Sequence, residues 1–350
     1  MTDQNFTDKL IGWYNEHSRS LPWRKTKDPY PVWLSEVILQ QTRVEQGLPY
    51  YHKFIDSYPN IEDLAASSEE EVLRLWQGLG YYSRGRNLLK GAQQIVYERD
   101  GVWPDNYKEL QNIKGIGKYI AAAIASFCFG EYVPVVDGNV YRFLSRYFGI
   151  LEPINTGKSF RVFFEVAAEL QSTANDPADF NQALMEFGAM HCKPRKPDCA
   201  SCVFEAKCYA RDKNSQELFP VKPKKKKSVT RNFHYFLIKK ENRFLVRKRG
   251  VNDIWQGLYE FPLIEGEELS NENLQTLPVE IDMVKIKKLY EVKHILSHQT
   301  IFATFYDIIP VNDNVVKEER ADYIGDWLLA EEIEEKPKPI LIDKFLNEYL

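Results

Sequence analysis

Cys192, Cys199, Cys202 and Cys208 form a C-x6-C-x2-C-x5-C run that holds four of the chain's five cysteines. Four thiolates that close in sequence can enclose one metal centre. Disulfides are the bland alternative. However, Met1 to Asp8 is polar and acidic with no secretory pattern, so the chain is expected to stay in a reducing cytosol. Structural zinc sites usually come as two C-x2-C knuckles, and only Cys199 and Cys202 make one. An iron–sulfur cubane also takes four cysteines and accepts unequal spacing. Spacing alone leaves both metals open. Lys193, Arg195, Lys196, Lys207 and Arg211 make the surrounding loop basic. Cys128, inside the apolar run Ile124 to Phe129, reads as a core thiol.

Two carboxylates stand out next. Glu36 lies in an apolar helical run beside Trp33, Leu34, Val37, Ile38 and Leu39. Burial there would raise its pKa and suit it to give a proton at neutral pH, unless it is an ordinary solvent-facing glutamate. Asp137, in Pro134-Val-Val-Asp-Gly-Asn-Val140, precedes a helix and has the sequence of a plain N-cap. The same helix dipole would keep it ionised, fit to face a developing positive charge. One carboxyl tuned to donate and one tuned to stay anionic form the pair that cleaves glycosidic bonds.

The elements that must position these residues divide the chain in two. Upstream of residue 228 the apolar pattern is helical, as in Val32 to Gln41, Tyr119 to Phe129 and Phe160 to Leu170. Downstream, short strands dominate, such as Phe233 to Ile238 and Ile301 to Ile309. The basic run at Lys222 and Lys224 to Lys227 reads as a solvated linker that can touch phosphates. The expected organisation is an all-α domain at 1–215 containing the cysteine loop 192–208, a linker at 216–230, and an α+β domain at 231–350. Net charge is −4, split as about +2 before residue 229 and −6 after it, so a DNA-binding face must be a local patch. No apolar stretch approaches a membrane span. Between Leu110 and Lys118, Gly115 and Gly117 flank Ile116, permitting a tight turn whose N–H groups open a helix toward a phosphate. Such contacts position DNA without reading its sequence.

Taken together, these pieces resemble the adenine DNA glycosylases of the helix-hairpin-helix, endonuclease III superfamily. The matching segments are Leu21-Pro-Trp-Arg24, Ser35 to Arg43, Gly78-Leu-Gly-Tyr-Tyr-Ser-Arg84, the glycine hairpin, Val136-Asp-Gly-Asn139 and the cysteine run. The resemblance implies an all-α helix-hairpin-helix glycosylase domain whose cysteine loop holds a [4Fe–4S] cluster, followed by an α+β Nudix-like domain. It further implies removal of adenine mispaired with 8-oxoguanine or guanine in double-stranded DNA, by a cytoplasmic monomer, nucleoid-associated if bacterial. Glu36 would protonate the adenine, Asp137 would stabilise the sugar cation or a covalent intermediate, Asn139 would orient Asp137, and Tyr119 would line the reaction centre.

Residue 119 also bears on strand cleavage. Relatives that cut the strand carry a lysine two places after the second hairpin glycine, to form a Schiff base. Here Tyr119 stands there, and Lys118 should project about 100° away on the helix. A monofunctional enzyme is expected. The resemblance assigns Trp23, Arg24 and Gln182 to the adenine pocket. It assigns Gln41, Leu79, Tyr81, Gly115, Gly117 and Lys118 to DNA contact, with Gln41 and Tyr81 wedged into the duplex.

In the second region, Ile254 to Tyr259 and Glu260-Phe-Pro262 are similar to a Nudix-like domain. Downstream, Glu265, Glu267 and Glu268 lack the Arg-Glu-x-x-Glu-Glu pattern that binds Mg²⁺ in active Nudix hydrolases, so pyrophosphate hydrolysis is not expected. His294-Ile-Leu-Ser-His298 is similar to a lesion-sensing hairpin, with Ser297 and His298 reading 8-oxoguanine; Leu296 stands where the family often has an aromatic ring. Two other readings are an endonuclease III-like glycosylase/lyase and a non-enzymatic iron–sulfur DNA-binding protein. Tyr119 opposes the first, and Glu36 with Asp137 the second. The cluster ligands lie far in sequence from both carboxylates, so structure and DNA docking are expected of the loop rather than base chemistry.

Overall fold

The computed structural model describes residues 4–223, 228–251, 253–278, 284–310 and 325–349. The lysines expected to form the linker, Lys224 to Lys227, lie outside the described residues. The chain folds as two compact units: Met1–Ala66 with Asn87–Lys224, and Ser67–Arg86 with Lys225–Leu350. Residues 67–86 thus leave the helical part of the sequence and group with the C-terminal unit. No helix among the described residues is long and apolar enough to cross a membrane.

The first unit is helical, as its 3.6-residue periodicity dictates. Its core is aromatic. Phe6 and Trp13 on helix Gln4–His17 pack with Phe143 and Tyr147 on helix Gly138–Phe148, and with Phe180 and Phe187 on helix Pro177–Met190. Phe204, from within the cysteine loop, reaches into this cluster. Its ring centroid lies 4.7 Å from Phe6, 5.2 Å from Phe143 and 5.1 Å from Phe187. One buried aromatic therefore ties a loop with little regular structure to the helical core.

Helix Pro29–Leu39 carries Glu36. Asp28 caps it, and Pro29 at its first position brings a φ already set for a helix. Helix Lys118–Phe129 packs beside it and follows the glycine turn. The two glycines of that turn do different work. Gly115 has φ +85°, and a Cβ there would lie 3.0 Å from the Cβ of Asn87. Gly117 has φ −88° and ψ 179°, with no atom within 4 Å of an added Cβ. The sequence expectation that both glycines serve the turn through positive φ holds only for Gly115.

Among the described residues, the second unit contains two four-stranded sheets. The strands are β1 (Val229–Leu237), β2 (Lys239–Lys240), β3 (Arg243–Lys248), β4 (Tyr259–Glu260), β5 (Leu263–Glu265), β6 (Val284–Ile295), β7 (Gln299–Pro310) and β8 (Asp326–Leu328). One sheet runs β5-β1-β7-β6, parallel only between β1 and β7. The other runs β2-β3-β4, with β8 also paired to β3. Phe305 stacks on Phe345 at 4.1 Å, fastening helix Ile340–Tyr349 to the first sheet. Within this unit Glu70 holds the 67–86 segment, accepting from Lys336 Nζ (2.7 Å), Lys248 Nζ (3.1 Å) and Tyr259 Oη (3.1 Å).

The contrast between the hairpin glycines can be measured. Gly115→Ala should cost about 1–2 kcal/mol of stability from left-handed strain alone. Gly117→Ala should be neutral or slightly stabilising, since alanine adopts that backbone freely. Equal losses in thermal melts would refute the distinction.

Candidate active site

The two carboxylates occupy different environments in the first unit. Glu36 is 5% exposed on its helix, and its Oε2 accepts a hydrogen bond from the Tyr119 hydroxyl. Burial raises its pKa most. The Tyr119 bond lowers it, the nearby Asp137 charge raises it again, and the carboxyl settles at about 7. At neutral pH it is therefore poised between giving and holding a proton. Burial also pushes the Tyr119 phenol well up, so this group remains a donor. Met185 Sδ stands 3.8 Å from the same hydroxyl.

Asp137 is the N-cap of helix Gly138–Phe148. Its Oδ1 accepts from the backbone N–H of Val140 (2.7 Å) and Asn139 (2.9 Å), and its Oδ2 from Asn139 Nδ2 (2.6 Å). The sequence pointed to a carboxylate kept ionised by the helix dipole. The net direction is the opposite, because burial lifts its pKa above the ordinary value while these N–H bonds pull it back. Asp137 thus has three N–H donors where Glu36 has a single hydroxyl.

Sequence reasoning missed what lies behind Asp137. Asn139 Oδ1 accepts from Arg142 Nη2 at 2.9 Å. The same guanidinium donates to the carbonyls of Gly188 (2.5 Å) and Cys192 (2.8 Å). One turn on, Arg146 is 2% exposed and donates to Lys193 O (2.7 Å), Gln216 O (2.9 Å) and Cys192 Sγ (3.4 Å). Two arginines spaced i, i+4 on one helix face thus bind the start of the cysteine loop. The loop is remote from Asp137 in sequence, yet only Asn139 and Arg142 stand between them. The helix register from Asp137 onward was the available signal.

The cysteine set can be tested against a cluster. Cys192, Cys202 and Cys208 pack against the aromatic core, and the charges of the four thiols act on one another. Burial pushes these three thiols up, Cys202 to about 12, while Arg146 and Arg142 pull Cys192 down. Gln216 Nε2 donates to Cys199 Sγ at 3.7 Å. No three His, Cys, Asp or Glu side chains among the described residues converge on a point that holds a single ion. A cubane asks for something different, one thiolate on each of four separate irons, plus N–H donors to sulfur. Four mutually close thiols with cationic and amide donors fit that group.

A second set of residues flanks Glu36. Glu186 is 1% exposed and binds Arg19 through both oxygens (2.8 and 2.7 Å) and Arg24 at 2.8 Å. Burial alone would raise its pKa, but the arginine bonds win and hold it at about 2. Arg24 is thereby fixed, and its charge lowers the Glu36 pKa. Gln182, one turn before Glu186 on the same helix, accepts from Tyr14 Oη at 2.8 Å. Trp23 is buried edge-on to Tyr51, 5.0 Å away. Of these residues, Arg19, Tyr14, Met185 and Glu186 carried no separate signal in the sequence.

Among the residues assigned to DNA contact, Gln41 (φ +59°) and Tyr81 (φ +48°) both adopt left-handed backbone, costly for non-glycine residues and often found at functional positions. Tyr81 is exposed, and its hydroxyl is hydrogen-bonded to that of Ser297 within the second unit. Ser297 and His298 sit at the turn between β6 and β7, closed by a bond from Leu296 N–H to Gln299 O at 2.8 Å. Leu79 is 7% exposed and packs inward in this structure. Lys118 is exposed, with Nζ 4.8 Å from the Phe160 ring and no part in the Glu36–Tyr119 pair.

Residues 34–166 match the HhH-GPD superfamily of base excision DNA repair proteins, and residues 234–348 match the NUDIX domain. The family match and the relatives below define a DNA glycosylase, a hydrolase of N-glycosyl bonds. The chain is 35% identical over 316 residues to an adenine DNA glycosylase of Buchnera aphidicola (subspecies Schizaphis graminum), covering 90% of this chain and 89% of that one. It is 44% identical over 222 residues to the human adenine DNA glycosylase, across 61% of this chain and 40% of that one. The chain belongs to the adenine DNA glycosylase family. A thermostable thymine-DNA glycosylase structure superposes with a TM-score of 0.55 at 30% identity, over 60% of this chain and 96% of that one. Endonuclease III bound to DNA shares the fold, with a TM-score of 0.51 at 20% identity, over 60% of this chain and 95% of that one.

Two outcomes follow from this geometry. The Glu36 pKa rises from 4.5 in the unfolded chain to about 7 when folded, so the stability linked to its proton is complete below pH 4.5 and lost as pH climbs through 7. Glu36→Gln should therefore gain on wild type between pH 5 and pH 8, by up to about 3 kcal/mol in denaturant titrations. A pH-independent difference would contradict that pKa. Arg142→Lys keeps the charge but not the fork that reaches Asn139, Gly188 and Cys192 together. It should lose about 2 kcal/mol, and an unchanged melting temperature would show the bridge to be idle.

Proposed function

We propose that this enzyme removes adenine mispaired with 8-oxoguanine from duplex DNA and leaves the strand uncut. The observation that carries the reading is Glu36, a buried carboxyl at about pKa 7, touched by a tyrosine hydroxyl and electrostatically coupled to Asp137. Adenine as the base is supported by the relatives named above. With the base flipped from the stack, Glu36 gives its proton to adenine N7, and the bond between the sugar and N9 breaks with its electron pair moving to the base. Asp137, oriented by Asn139, faces the positive charge left on the sugar, as an ion partner or through a transient covalent bond. Water then adds to the sugar and loses its proton to a carboxylate of the site. Trp23, Arg24 and Gln182 hold the base.

Tyr119 places a phenol where strand-cutting relatives carry an amine, so the reaction ends at the abasic sugar. Cys192, Cys199, Cys202 and Cys208 would hold a [4Fe–4S] cluster, which supplies a compact cross-link for the loop. Gly115, Gly117 and Lys118 meet phosphates, Gln41 and Tyr81 wedge the duplex, and Ser297 and His298 read 8-oxoguanine. The protein acts as a cytoplasmic monomer, associated with the nucleoid if its cell is bacterial.

A single-turnover assay on a duplex with one 8-oxoguanine:adenine pair tests this reading. Scission of the adenine strand is expected only after alkali. The rate should fall as pH rises through about 7, where Glu36 loses its proton. Scission without alkali would replace the reading with a glycosylase/lyase, and none in either arm would remove the enzymatic assignment to this pair.

A further inference from the structure

Gln182, Met185 and Glu186 occupy one face of helix Pro177–Met190, three and four residues apart. Met185 touches the Tyr119 hydroxyl that donates to Glu36, and Glu186 fixes Arg24, whose charge acts on Glu36. Gln182 therefore sits on the helix face that carries these two neighbours of the Glu36 surroundings. An amide side chain can present either a donor or an acceptor, and its helix does not decide which. A partner on its other side does. Tyr14, from helix Gln4–His17, donates its hydroxyl to Gln182 Oε1 at 2.8 Å. Among the described residues, Gln182 Nε2 has no hydrogen-bond partner.

Tyr14 is itself held in place. The guanidinium carbon of Arg24 lies 5.7 Å from its ring centre, and Arg24 is clamped by Glu186 and by a bond to the Arg19 carbonyl at 3.0 Å. Burial raises the phenol's pKa, so it keeps its proton at any working pH and remains a donor. Flipping the amide would turn Nε2 toward the hydroxyl and leave the phenolic proton without its acceptor.

We propose that Tyr14 is a positioning residue for base selection: it locks the Gln182 amide with Nε2 toward the base, so that Gln182 reads the base as a donor. This inference rests on the adenine-excision reading above. With N7 assigned to Glu36, the acceptor left on adenine's pairing edge is N1. Hypoxanthine carries an N–H at that position and would meet the Nε2 donor head-on. The Tyr14–Gln182 pair thus selects a 6-aminopurine over a 6-oxopurine, at a distance from the bond that breaks.

The test uses full-length protein in single turnover on duplexes with adenine or hypoxanthine opposite 8-oxoguanine. Tyr14→Phe should slow adenine excision by about fivefold, the scale of one neutral hydrogen bond, and leave hypoxanthine excision unchanged or faster. The pH midpoint of Glu36 should not move. In a Gln182→Ala background, Tyr14→Phe should have no further effect, because it acts through the amide. Gln182→Glu, which offers only acceptors, should lose adenine relative to hypoxanthine in its own right. Equal slowing of both bases, or an added loss on top of Gln182→Ala, would overturn the proposal. A wild-type protein that leaves adenine in place would instead overturn the parent reading.

Discussion

The hydrogen bonds around the N-terminus of helix Gly138–Phe148 govern most of the rest. The first turn of that helix presents free N–H groups, and Asp137 takes two of them while Asn139 supplies a third donor. Both oxygens of that carboxylate are thereby engaged. Asn139 is fixed in turn by Arg142, and Arg142 by the carbonyls of Gly188 and Cys192. The helix that caps on Asp137 is therefore the same helix that binds the cysteine loop. Damage to the loop would be felt at Asp137 through two side chains, although the loop lies more than fifty residues further along the chain.

The second carboxyl gains its character from what it lacks. Glu36 meets one hydroxyl where Asp137 meets three N–H groups, and it sits among apolar side chains of its own helix. Desolvation then dominates its titration. Two buried carboxyls within electrostatic reach resist both being charged; burial raises both, and the N–H donors pull Asp137 back. The clamp of Glu186 by Arg19 and Arg24 also bears on Glu36. It fixes Arg24, whose charge lowers the Glu36 pKa by less than the Tyr119 hydrogen bond does, and the two together offset part of the burial.

Segment 67–86 shows how chain order and folding units diverge. Its pattern is helical and it lies between helices of the first unit in sequence, yet Glu70 pairs with lysines on β3 and near the C-terminus. Tyr81 bonds the hydroxyl of Ser297 at the β6–β7 turn. A residue resembling a duplex wedge and one resembling a lesion reader thus share one unit. Tyr81, and Gln41 in the other unit, both carry left-handed backbone, costly for residues with a side chain.

The sequence by itself determined the elements and the chemistry-bearing residues. Helical periodicity before residue 228 and strands after it gave the fold class, because burying an apolar face leaves few alternatives. The cysteine run, the glycine hairpin and the Val-Asp-Gly-Asn segment are local patterns, so they were readable as spacing. Tertiary structure decided everything that depends on side chains distant in the chain. That Tyr119 bonds Glu36, that Arg142 joins Asn139 to Cys192, that Glu186 clamps two arginines, and that Leu79 turns inward all require helices to meet at particular angles. The pKa of Asp137 is the sharpest case. Its N-cap position was legible and argued for a low value, but the burial that reverses the direction belongs to the packed protein and to no single segment of it.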